Sequence, residues 1–135
     1  MSGLQAVVYF SLWTLLLVVF YSGYRVIPIL RGTKKPNAWT RGGAVDEPGV
    51  ITRTHHAHLN ALETLPIFAA VVLAGAALGK PAPANAVGEF IVVLRVAQSV
   101  IHMISTSPMM VLLRAVAFFA QILLILWMIR GILAG

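Results

Sequence analysis

The chain of 135 residues is 59% hydrophobic and 10% charged, with a mean hydropathy of +0.90. Soluble domains carry nearer ~25% charged residues, so the composition excludes an ordinary soluble domain and points to a membrane protein forming one domain, residues 1–135. With no cysteine, disulfides, thiolate metal sites and a cysteine nucleophile are ruled out, and the +6 charge comes without a basic–aromatic platform for nucleic acid.

Four segments reach the ~20 apolar residues that cross a hydrocarbon core of ~30 Å. The first covers about residues 4–30. It does not read as a cleaved signal peptide: MSGLQ lacks a basic start, the apolar run is too long, and basic residues follow it. Next comes RGTKKPNAWTRGGAVDEPGVITRT, rich in Gly, Pro and charge, which reads as an interfacial loop with Trp39 at headgroup level. The second span covers about 55–78, and its polar opening RTHHAHLNALETLP gives way to a purely apolar run from Leu65 to Leu78. A Pro/Ala turn, GKPAPANA, leads to the third span at about 86–105. The connection STSP is so short that the third and fourth helices should form an antiparallel hairpin. Pro108 suits the first position of the fourth span (108–133), with Thr106 or Ser107 as its cap.

These elements predict an all-α, integral membrane four-helix bundle of up-down topology. Arg25, Arg31, Lys34, Lys35, Arg41 and Arg53 crowd the first loop, whereas the second holds only Lys80. The positive-inside rule then puts the first and third loops in the cytoplasm and both termini on the opposite side.

Polar groups inside these spans fall on stripes. At about 100° per residue, Arg53, His56, Asn60 and Glu63 share an arc of roughly 80°, and Arg95, Gln98 and His102 one of roughly 60°. Arg114 and Gln121, seven apart, share a face of the last helix. A centred charge costs roughly 2.5–3.5 kcal/mol on insertion scales, so such groups are functional candidates. Each also has a plainer reading. Glu63 could neutralise Arg95 or Arg114, Asn60 could tie helices together, Arg53 and Arg31 could snorkel, and His102 could be an ordinary helix-end histidine. Together they leave an excess of positive charge and amide groups over one carboxylate, which suits a small multi-carboxylate ligand. His55, His56 and His58 invite a metal or haem reading, but no carboxylate sits beside them, and no metal site is assigned.

The second-span pattern resembles the MAPEG family, the membrane-associated proteins in eicosanoid and glutathione metabolism. The family signature is an arginine, then Ala-(Gln/His)-x-Asn-x-x-Glu, then proline. Here it runs Arg53, Ala57-His58-Leu59-Asn60-Ala61-Leu62-Glu63, Pro66. Arg95 matches the third-helix arginine, and Arg31 the arginine ending helix one. The resemblance implies a homotrimer with sites between subunits, using glutathione as co-substrate against lipophilic electrophiles from the bilayer. Carried over by position, Arg31, Arg53, His56, His58, Asn60, Glu63, Arg95 and Gln98 would contact or frame glutathione, and Arg114 would stabilise its thiolate. Two departures stand out. His102 occupies the place of the usual third-helix tyrosine, where it would act as a catalytic donor of a proton or hydrogen bond in the tyrosine's stead, and the spacing from Arg95 to Arg114 is longer than the family's. The alternatives are a non-catalytic glutathione- or lipid-binding protein of the same fold, or a metal- or haem-binding one.

Overall fold

The computed structural model describes residues 1–39 and 46–134; Arg41 lies outside the described residues. Four helices make up the fold: α1 (Gly3–Leu30), α2 (Gly49–Ala77), α3 (Ala82–Ile104) and α4 (Pro108–Leu133). All four are long and apolar enough to cross a membrane. The chain is an integral, multi-pass membrane protein.

Capping chemistry sets several helix ends. Ser2 and Gln5 form a reciprocal capping box that opens α1. Ser107 Oγ accepts the Met110 N–H at the start of α4. α2 begins six residues before the expected His55. Pro48 supplies the entry, and buried Ile51 and Thr54 carry the core stripe back through a stretch whose polarity reads as loop. α3 likewise starts four residues before Ala86, because a proline in the first helical turn forfeits no hydrogen bond. At the end of α2, Gly79 adopts φ +71°, and Lys80 N–H then reaches back to the Gly75 carbonyl at 2.8 Å.

α1, α2 and α3 pack against one another around Phe10, Phe68, Val72 and Ile91, with the Phe10 and Phe68 rings 5.5 Å apart. Small residues bring α1 and α3 close: a Cβ on Gly88 would come within 2.9 Å of Ala6 Cβ. α4 lies chiefly on α3, reaches α2 only marginally and does not meet α1 among the described residues. Its buried residues are Ala117, Gln121, Ile125, Met128 and Ile132, so Pro108–Val116 holds none. Lys80 Nζ fastens the far end by donating to the Ile132 carbonyl at 2.9 Å. α4 is therefore anchored at the end bearing the chain termini and stands away from α2 at the other, the loop end.

At the loop end, Glu47 accepts hydrogen bonds from Arg25 Nε (3.1 Å) and Nη2 (2.8 Å), Trp39 Nε1 (3.0 Å) and Thr52 Oγ1 (2.8 Å). Arg25 lies against the Tyr21 and Trp39 rings and also donates to His55 Nδ1 at 3.4 Å. Trp39 therefore has a specific partner in Glu47. Burial alone would raise the Glu47 carboxyl pKa, but the bonds from Arg25, Thr52 and Trp39 outweigh it and hold it below the ordinary carboxylate value. A lowered folded-state pKa contributes stability above the unfolded value that is lost as pH falls through the folded value. Trp39 emission, read in a variant with Trp13 and Trp127 replaced by Phe, should therefore stay constant from neutral pH down through the ordinary carboxylate range and change only in stronger acid. A transition already at neutral or mildly acidic pH would contradict control of this clasp by Glu47.

Candidate functional site

Where α4 parts from α2, a groove of about 250 Å³ opens between α2, α3 and α4. Asn60 and Glu63 come from α2, Gln98 from α3, and Val111, Arg114, Ala115 and Phe118 from α4. The helical stripes explain the convergence. Asn60 and Glu63 are three residues apart on one face, and Gln98 sits about 60° round α3 from the core-facing Arg95.

Glu63 is 14 residues from either end of the 29-residue α2, about 21 Å from each. It is exposed in the subunit and has no ion-pair partner among the described residues. Arg114 is half-buried on the opposite wall, likewise without an ion pair among them. Two opposite charges thus face a shared space within the membrane's span without closing on each other. Lipid is a poor solvent for an unpaired carboxylate, so this face calls for water, a ligand or another chain. A volume of about 250 Å³ is also smaller than the roughly 300–1,000 Å³ of most small-molecule sites.

Other sequence candidates sit around the groove rather than in it. Arg53 Nε donates to the Met103 carbonyl at 2.8 Å, capping one of the orphan carbonyls at the end of α3. His102 is 6% exposed and stands behind Asn60, its Nδ1 3.5 Å from Asn60 Nδ2 and its ring 6.2 Å from that of exposed His56. Arg31 is exposed at the end of α1 and does not line the groove.

His58 lies about 140° round α2 from Arg53 and faces α1. Its Nδ1 is 3.2 Å from the Thr14 carbonyl; a carbonyl only accepts, so Nδ1 carries the proton. Arg95 is 1% exposed, donates from Nη2 to Thr64 Oγ1 at 2.7 Å and lies over the Phe10 ring. No ion pair joins Arg95 to Glu63 among the described residues. No group of three or more potential ligand side chains converges on a metal position among the described residues.

Three functional partnerships escaped the sequence. They are Arg25 with Glu47, Thr64 with Arg95, and Gln121 with Gln98. Periodicity did offer a signal for the last, because Gln121 shares a face of α4 with Arg114.

The fold and groove define a four-helix membrane protein with a polar groove opening between its last helix and its second. The family model described as MAPEG family matches residues 2–134, and the chain belongs to that family. Membership places it among membrane proteins of the glutathione and eicosanoid metabolism type. No curated protein and no solved structure matches it.

Proposed function

We propose that this protein is a glutathione-dependent membrane enzyme of transferase or peroxidase type, acting as a homotrimer on lipophilic electrophiles. The observation that carries this reading is the groove, where unpaired Glu63 and Arg114 share one space with Asn60 and Gln98. Glutathione presents one ammonium, two carboxylates, two amides and a thiol. Glu63 complements the ammonium, Asn60 and Gln98 the amides, and Arg114 a carboxylate or thiolate. Arg53 and His56 flank the loop end, Arg31 reaches the site of a neighbouring subunit, and His58 and Arg95 hold the frame from behind. The loop end faces the cytoplasm, in keeping with its basic residues.

A free thiol has a pKa near ~8.5, and a guanidinium in a poorly hydrated site favours its thiolate. The thiolate, held by Arg114, attacks an electrophilic carbon of a molecule dissolved in the bilayer, and the leaving group departs. His102 acts through Asn60, to which it is adjacent, in place of the family's tyrosine. The purified protein should therefore conjugate glutathione to chlorodinitrobenzene and run as three chains per particle in mild detergent. A monomer by mass measurement, or no turnover with several electrophiles, would count against the proposal.

A second reading, a non-catalytic glutathione- or lipid-binding protein, is favoured by one observation: His102 does not line the groove. Binding without turnover would select it.

A further inference from the structure

Gln121 is fully buried on α4, yet its carboxamide is satisfied at only one end. Its Nε2 donates to the Ala117 carbonyl of its own helix at 3.0 Å and to Gln98 Oε1 on α3 at 2.8 Å, while its Oε1 has no partner. A backbone carbonyl can only accept, so the end of the amide turned to Ala117 must be the NH2. That same NH2 meets Gln98, so Gln98 must turn its oxygen toward α4. The Gln98 NH2 is then the free end. It is not among the sealed, unpartnered atoms, and Gln98 is the α3 residue that lines the groove.

We propose that Gln121, which does not itself line the groove, is a positioning residue that locks Gln98 as a hydrogen-bond donor, so that this point of the site selects an acceptor: a carboxylate or amide carbonyl of an anionic, peptide-like ligand. The unmet Gln121 oxygen supports this. A buried carbonyl oxygen without a donor is a cost that an apolar side chain would avoid, and such exceptions call for an explanation. Fixing the direction of the neighbouring amide supplies one. A freely turning Gln98 could offer the groove either its oxygen or its NH2. The chain of bonds from Ala117 leaves only the NH2.

The inference rests on the glutathione reading for its ligand, and a double-mutant cycle separates the two. Glutathione affinity is measured by calorimetry on the detergent-solubilised parent, Gln98→Leu, Gln121→Met and the double variant. Gln121→Asn, too short to reach Gln98, serves as a second probe should the Met variant fold poorly, with folding followed by circular dichroism. Gln98→Leu should weaken binding by roughly tenfold or more, the usual scale for a hydrogen bond to a charged group. Gln121→Met and Gln121→Asn should weaken it by a smaller factor. Neither should weaken it further once Gln98 is Leu. Losses that add in the double variant, or a folded Gln121→Met with parental affinity, would overturn the positioning role. A parent protein that binds no glutathione would sink the glutathione reading and this inference with it.

Discussion

Arg114→Met is expected to lower conjugation of chlorodinitrobenzene by about 10- to 10²-fold at pH 6.5 while changing glutathione affinity less. The size follows from thiol ionisation. At that pH a thiol with its ordinary pKa near ~8.5 is about 1% thiolate, whereas a shift of one to three units, the usual range for a nearby opposite charge, makes it a substantial or major species. Met keeps the length and apolar contacts of the arginine stem, so the groove wall beside Ala115 and Phe118 is preserved. The pH profile carries the sign. In the parent the bound thiol's pKa is lowered, so the rate should level off below pH 8; in Arg114→Met it should keep rising towards the free thiol's value. A uniform loss across pH with an unchanged profile would move Arg114 from the sulfur to a carboxylate.

The second large effect concerns Arg95, where two substitutions should part company. Arg95→Ala removes one of the largest fully buried side chains, between Thr64 and the Phe10 ring, and is expected to cost about 2–5 kcal/mol of stability through the void it leaves. Arg95→Met fills most of that volume and removes a buried cation that has no ion-pair partner among the described residues. It should melt close to the parent or above it, since replacing a buried charge by a well-packed apolar group is often neutral or stabilising. Thermal unfolding of the two variants in the same detergent makes the comparison. If Met proves as damaging as Ala, the guanidinium and its bond to Thr64, rather than the volume of the side chain, carry the stability.

How far the sequence led differs from residue to residue. Asn60, Glu63 and Gln98 were legible because helical periodicity puts residues three and seven apart on one face, and all three line one groove with Arg114. Periodicity does not say which neighbour that face meets. Arg95 shares the Gln98 stripe, yet it turns into the core toward Thr64 and Phe10 while Gln98 opens on the groove. His58 came with the family motif, although its own angle on α2 directs it to α1 and the Thr14 carbonyl. The Arg25–Glu47 clasp was out of reach, because it joins residues 22 apart across a loop whose path no periodicity encodes. α2 and α3 begin earlier than their apolar patterns predict for a common reason: the polar or proline-bearing first turns of both resemble loop, and only burial of Ile51, Thr54 and Ala84 marks them as part of the bundle.

We propose that the groove of Asn60, Glu63, Gln98 and Arg114 binds glutathione and ionises its thiol. Adding glutathione to the purified, detergent-solubilised protein at pH 6.5 and recording the ultraviolet absorbance of the thiolate tests both halves together. A saturable thiolate signal is expected in the parent and lost in Arg114→Met, whereas glutathione binding with the thiol still protonated, or no binding at all, would contradict this role of the groove.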